Sequence, residues 1–281
     1  MTEHSIEKVP EAMCELFGLS SSRPVALTIS LQVFARHGGI EGPHKDGWGV
    51  AYYEQKDVRL IKDTGAASES EWVHFLEGHR LRSTLILSHI RKATQGARTY
   101  SNTQPVVREL GGRMHVFAHN GDLKGLKDAA DLKLGRFLPV GDTDSEWAFC
   151  ALLDRMTDLW PGTAGVPDLN ERLARIARFA EALRPLGPAN FIYVDGDALF
   201  AHGHRRKQAN GELAPPGLCV LERRCAPEGD DMAVDGLTLE AGEQDVALVA
   251  SVPLTDEPWR PLKEGEVVAL RNGQVVTAAE S

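Results

Sequence analysis

Pro10 to Ser21 reads PEAMCELFGLSS, and the fold turns on how Met13-Cys14 and the run after it are read. A Met-Cys pair is how a chain with an N-terminal cysteine is encoded. The run CELFGL (14–19) reads as a short core strand. If Cys14 is the first residue of the working protein, its thiol and its own α-amino group are a nucleophile and a base on one framework. An α-amine has a pKa of about 7.7–8, against about 10.4 for lysine. A useful fraction is then neutral near pH 7, where a base works well. That amine can take the thiol proton, directly or through one water, and later return a proton to a leaving amine. Joined to residue 13 the same nitrogen is an amide with no basicity. Residues 1–13 are therefore expected to be a leader that is removed, or a start assigned too early. Cysteine is small enough to permit removal of an initiator methionine, so starting at Met13 would suffice. Taken alone, Cys14 would also fit a buried structural cysteine, a common fate for a free thiol.

The rest of the chain sets the frame. With 281 residues, 42% apolar and 25% charged, it can fill a globular core. A net charge of −9 argues against a nucleic-acid footprint, which needs clustered Lys and Arg. No apolar run approaches the roughly 20 residues of a membrane span. MTEHSIEKVPEA (1–12) lacks the apolar stretch of a secretory signal. Cys14, Cys150, Cys219 and Cys225 show no C-x-x-C spacing, which fits reduced thiols in a cytoplasmic protein and offers no zinc or disulfide framework.

Outward from Cys14, RPVALTISLQVFARHGG (23–39) reads as a helix, with Pro24 near its start and Gly38 just past its end. GWGVAYY (47–53) reads as a short strand, and STLILSHIR (83–91), MHVFAHNG (114–121) and DVALVAS (245–251) read as buried strands. Asp195-Gly196 and Asn272-Gly273, each between apolar runs, predict tight type I′ hairpins. GDTDSEWAFCALLDRM (141–156) carries Thr143-x-x-Glu146, a capping box at a helix start. NERLARIARFAEALRPLG (170–187) puts Leu173, Ile176, Ala177, Ala180 and Leu183 on one helical face and stops at Pro185. RRCAPEGDDMAVDG (223–236) reads as a flexible loop. Strands in hairpins and helices in blocks predict an α+β architecture of antiparallel sheets covered by helices. One domain, 14–281, is the simplest organisation.

Four further residues gain meaning beside Cys14. Asn120 and Gly121 close a buried strand, where a side-chain amide and a backbone N–H could bind a developing oxyanion; Asn-Gly is also the commonest of turn dipeptides. Arg91 ends another buried strand, suited to bidentate capture of a carboxylate, or to an ordinary surface ion pair. Asp144 falls in the first turn of a helix, where an acid stays ionised and could accept from an ammonium, or simply favours the helix. Arg91 and Asp144 together would complement the two charges of an α-amino acid. Glycine-rich GGIEGPHKDGWG (38–49) lacks the phosphate-loop pattern and reads as a mobile wall of the site. HGH (202–204) has no third ligand and reads as a solvated turn. No metal or other cofactor is expected.

MCELFG, GPHKDGWGVAYY, SHIRKATQG, AHNG and GDTDSE, in this order and rough spacing, resemble the class II glutamine amidotransferases, Ntn hydrolases with an N-terminal cysteine. The likeness covers about residues 13–276 and is nearest to small stand-alone members, including those resembling the γ-glutamyl hydrolase of ergothioneine synthesis. It extends to the tail SVPLTDEPWRPLKEGE (251–266). It implies a four-layer α/β/β/α sandwich of two mostly antiparallel sheets that binds glutamine or a γ-glutamyl compound. It implies that Cys14 is the nucleophile, that Asn120 and Gly121 form the oxyanion hole, and that Arg91, with Thr94 beside it, holds the α-carboxylate. Asp144 would hold the α-amine, and Arg36 would stand near the terminal amine. Lys92, Gln95 and Gln104 depart from the Trp, His and His of aminosugar-forming members. No fused synthase domain is present in the sequence, so an ammonia-accepting partner protein is open, and the oligomeric state is not legible.

Two rival readings stand. A papain-like hydrolase would pair Cys14 with His89 or His119 and would work with residues 1–12 attached. A non-catalytic module would bind glutamine without turnover.

Overall fold

The computed structural model describes residues 14–29, 47–66, 70–91, 97–162, 165–208, 210–226, 232–234, 237–240 and 242–281. Among them, nine strands form a first sheet: β1 (Glu15–Ile29), β2 (Trp48–Glu54), β3 (Asp57–Asp63), β4 (Arg82–Ile90), β11 (Cys219–Cys225), β12 (Met232–Val234), β13 (Leu237–Glu240), β14 (Gln244–Ala250) and β15 (Arg260–Pro261). Six form a second: β5 (Val106–Leu110), β6 (Arg113–Gly121), β7 (Ala189–Val194), β8 (Leu199–His202), β16 (Glu266–Arg271) and β17 (Gln274–Glu280). The short strands β9 (Arg206–Lys207) and β10 (Leu213–Ala214) make a separate ribbon. The first sheet runs β15-β11-β14-β1-β4-β2-β3, the second β17-β16-β8-β7-β6-β5. Each ladder is antiparallel, as hairpin connections dictate.

Alternation along the strands sorts side chains into layers. Leu16, Leu85, Leu87, Val116, Ala118, Ile192 and Val249 fill the space between the sheets. Phe117, Phe191, Tyr193 and Phe200, on the far face of the second sheet, pack against helices α2 (Asp144–Met156) and α3 (Leu169–Leu183). Phe17, Leu19, Val50, Ile86 and Leu248, on the far face of the first sheet, pack against Val73 and Leu76 of helix α1 (Glu71–His79). Helix, sheet, sheet, helix is the expected four-layer sandwich.

Several local expectations change. The predicted helix over 23–39 is strand as far as Ile29, and its remainder lies outside the described residues. Val25, Leu27 and Ile29 alternate with period two, and Pro24 sits where the β1–β4 register shifts between Ser20 and Val25, so no ladder bond needs its missing N–H. Arg23 N–H there donates instead to Gln244 Oε1 at 2.9 Å. The 223–236 segment is not all loop: Arg223–Cys225 finish β11 and Met232–Val234 form β12. Asn272 (φ 52°) and Gly273 (φ 80°) adopt the two positive φ values of a type I′ turn. At the other hairpin Gly196 (φ 81°) has positive φ but neither Asp195 nor Asp197 does. Asp195 Oδ1 instead accepts the N–H groups of Asp197 and Ala198 at 3.0 Å each, so its side chain shapes that turn.

Candidate active site

Cys14 lies directly before β1, half-buried and in no disulfide. Strand alternation gives it the face of Leu16, which looks toward the second sheet. Asn120, in phase with Val116 and Ala118 on β6, looks back from that sheet. The two meet: the Asn120 Nδ2 amide donates to the Cys14 carbonyl oxygen. Two of the residues that the sequence singled out are thus joined across the sandwich by 106 positions of chain.

The end of β6 is fixed from three sides. Gln104 Oε1 accepts the His119 N–H at 2.7 Å, and Gln104 Nε2 donates to the His119 carbonyl at 3.1 Å, so this side chain imitates a neighbouring strand. Asn190, opposite Asn120 in the β6–β7 register, donates to the Asn120 carbonyl at 3.3 Å and to the Arg205 carbonyl at 2.7 Å. At Gly121 a Cβ would lie 1.7 Å from the Pro188 carbonyl oxygen, so the close approach of β7 requires glycine.

Arg91 follows β4 and is buried. Its N–H donates to Gly47 O at 2.9 Å and its Nη1 to Ala97 O at 3.3 Å. Asp144 is the first residue of α2, half-buried. Its Oδ2 accepts from Leu123 N–H at 2.8 Å and its Oδ1 from Ser145 N–H at 2.8 Å. These bonds hold the carboxylate and leave lone pairs for a ligand. The capping box is half made. Thr143 Oγ1 accepts from Glu146 N–H at 3.3 Å, but the Glu146 carboxylate reaches Gly141 N–H at 2.6 Å and Arg108 rather than the Thr143 amide. Arg36, Thr94, Lys92, Gln95 and the glycine-rich wall before Gly47 lie outside the described residues.

Neither histidine of the papain-like reading is set up as a base. His119 Nδ1 bonds Ser145 Oγ at 3.0 Å and its Nε2 the Pro188 carbonyl at 3.2 Å, and burial lowers its pKa against the pull of Asp144. His89 is buried with neither ring nitrogen hydrogen-bonded among the described residues. Burial, reinforced by His119 and Arg91, pushes its pKa down to about 3.

Sequence reasoning misses a buried ion pair at Glu15, the residue that follows Cys14. Glu15 Oε1 meets Arg206 Nη2 at 3.1 Å, Arg206 Nη1 donates to the Ser251 carbonyl, and Leu16 N–H donates to Ser251 Oγ at 3.0 Å. Burial outweighs the arginine and pushes the Glu15 carboxyl up to about 7. The usable signal is a glutamate inside an apolar strand, which demands a partner. HGH is accordingly no solvated turn: His202, His204 and Arg206 are all buried, because β8 and the chain after it run under Glu264 and Leu262. His204 Nε2 stands 3.5 Å from Glu264 Oε1. Among the described residues no three His, Cys, Asp or Glu side chains are grouped to hold a metal ion.

Two antiparallel sheets stacked between helices match the fold of Ntn-type amidotransferases. The family model for class II glutamine amidotransferases matches residues 13–281, and the chain belongs to that family. It is 35% identical over 255 residues to "Putative glutamine amidotransferase YafJ" of Escherichia coli (strain K12), covering 90% of this chain and 96% of the relative. A crystal structure of a "predicted glutamine amidotransferase" from Pseudomonas aeruginosa PA01 superposes with TM-score 0.67 at 35% identity, covering 94% of this chain and all (100%) of the other. Glutamine phosphoribosylpyrophosphate amidotransferase of B. subtilis shares the fold alone, with TM-score 0.56 at 17% identity over 95% of this chain and 49% of that one.

Proposed function

We propose that the protein hydrolyses a γ-glutamyl amide, glutamine in the simplest case, with Cys14 as an N-terminal nucleophile. The α-amine of Cys14 takes the thiol proton as sulfur attacks the γ-carbonyl carbon. Negative charge develops on the carbonyl oxygen, where Asn120 Nδ2 and the Gly121 N–H donate to it. The C–N bond breaks, the amine returns the proton, and ammonia or a larger amine leaves. Water then cleaves the γ-glutamyl thioester by the reverse proton route and restores the thiol. Arg91, with Thr94, is assigned to the α-carboxylate, Asp144 to the α-ammonium, and Arg36, by the family resemblance, to the terminal amine. All of this takes place in one domain, 14–281, once residues 1–13 are absent. No cofactor enters the steps.

The observation that supports this most is the hydrogen bond from the Asn120 amide to the Cys14 main-chain carbonyl. The bonds that occupy His119 weigh against the thiol–imidazole alternative. An ammonia-accepting partner protein would make the protein an amidotransferase; without one it is a glutaminase or γ-glutamyl hydrolase. The reading is of a cytoplasmic protein, and no described helix is long and apolar enough to cross a membrane.

The test is intact-mass analysis after incubation with diazo-oxo-norleucine, a γ-glutamyl-directed electrophile. One adduct, mapped to Cys14 and suppressed by glutamine, is expected when Cys14 is the first residue. No adduct in that form overturns the mechanism. Saturable glutamine binding without an adduct or turnover would leave the non-catalytic module as the function.

A further inference from the structure

We infer that Asn102 is a positioning residue that couples the Arg91 and Asp144 sides of the site and so sets the spacing at which an α-amino acid head is gripped. The inference rests on the functional reading above.

Asn102 is buried, 1% exposed, in the segment leading into β5. Its Nδ2 donates to the Ala97 carbonyl at 3.1 Å. That same carbonyl accepts Arg91 Nη1 at 3.3 Å and the Thr99 N–H at 3.0 Å. Its Oδ1 accepts the Asp142 N–H at 2.8 Å, two residues before Asp144. A single planar amide thus spans two loops far apart in sequence: 97–102, which anchors the Arg91 guanidinium, and 141–144, which delivers the acid to the first turn of α2. The contact is close. A Cβ on Gly141 would stand 2.3 Å from Asn102 Oδ1 and 3.0 Å from the Ser101 carbonyl. Glu146 also holds the Gly141 N–H at 2.6 Å, so the acidic loop cannot drift away from Asn102 without breaking a buried bond. An amide is required here because one loop presents an acceptor and the other a donor. Leucine satisfies neither, and aspartate satisfies only the second.

Asn102→Asp separates the two halves. It can still accept from Asp142 N–H but sets a carboxylate oxygen against the Ala97 carbonyl, so the Arg91 side loosens while the Asp144 side stays. The substrates that read this are glutamine, 4-aminobutanamide (no α-carboxylate) and 4-carbamoylbutanoate (no α-amine), used with the form of the protein that reacts with diazo-oxo-norleucine. In N102D the preference for glutamine over 4-aminobutanamide, as a ratio of kcat/KM, falls about tenfold or more, on the scale of one charge-assisted hydrogen bond. The preference over 4-carbamoylbutanoate stays within about threefold of the unaltered protein, and kcat for glutamine changes far less than KM. Gly141→Ala, which pushes from the acidic loop, reverses the pattern and relaxes the preference over 4-carbamoylbutanoate. Alkylation of Cys14 by iodoacetamide, which has no amino acid head, is unchanged in both. If both variants lose rate equally on all three substrates, or keep both preferences, Asn102 has no positioning role. If the unaltered protein never reacts with diazo-oxo-norleucine, the reading of the site falls instead, a result distinct from either.

Discussion

In the proposed mechanism, one side-chain amide at the end of β6 carries the heaviest chemical demand. Asn120 Nδ2 has two hydrogens; one goes to the Cys14 carbonyl and the other remains for an oxyanion. Asn120→Ala should lower kcat by about 100- to 1,000-fold with little change in KM, read by steady-state ammonia release. Unchanged kcat would remove Asn120 from the chemistry. Beside it, Gly121→Ala should destabilise by more than about 3 kcal/mol in urea unfolding, since the clash is with Pro188 backbone and no rotamer relieves it. The buried Glu15–Arg206 pair offers a third residue-scale test. Arg206→Met leaves an uncompensated acid and should cost about 3–5 kcal/mol at pH 8. The loss shrinks toward pH 5, because a carboxyl already pushed up to about 7 is protonated there and needs no counter-charge. A loss independent of pH would assign the effect to shape alone.

At the scale of elements, the structure shows which local signals carry weight. β2, β4, β6 and β14 match their apolar runs because burial on both faces needs continuous hydrophobicity. The 23–39 segment reads as helix because Pro24 and Gly38 look like helix punctuation, while the shorter alternation of Val25, Leu27 and Ile29 is the true signal. The capping box shows the opposite limit. Thr143 and Glu146 have the right spacing, but tertiary partners Arg108 and Gly141 compete successfully for the glutamate. Thr143→Ala should therefore cost about 1 kcal/mol, an ordinary cap. Glu146→Ala should cost more and should also weaken glutamine binding, because it frees the loop ahead of Asp144. Equal costs with unaltered KM would contradict that division of labour.

Among the described residues, His89, His115, His119, His202 and His204 are buried, and burial favours their neutral form. Burial holds His89 and His202 at about 3 and His115 at about 4, all below the 6.5 of an unfolded chain. Below pH 6.5 the unfolded state binds protons that the folded state refuses, so stability falls as pH drops from about 6.5 toward 4. Each group contributes up to about 1.4 kcal/mol per pH unit. Glu15, raised to about 7 from 4.5, works in the opposite sense between those values, but it is one group against three. Urea midpoints measured from pH 7 to 4 should decline steadily; a flat profile would contradict the buried neutral state.

At this scale the order of motifs made the sandwich legible, and the site proposed for it was assembled from polar and charged side chains at strand and helix ends. What supports them was not legible. Gln104, Asn190, Asn102 and Arg206 act through contacts 14 to 191 positions distant, which no local pattern encodes. The central claim is that the sulfur of Cys14 is activated by the nitrogen on its own α-carbon. The most direct measurement pairs intact mass with ammonia release from glutamine on the same samples. The account predicts a rate proportional to the fraction of chains beginning at Cys14, and none from chains retaining Met1. Full turnover by chains that still begin with Met1 would contradict it.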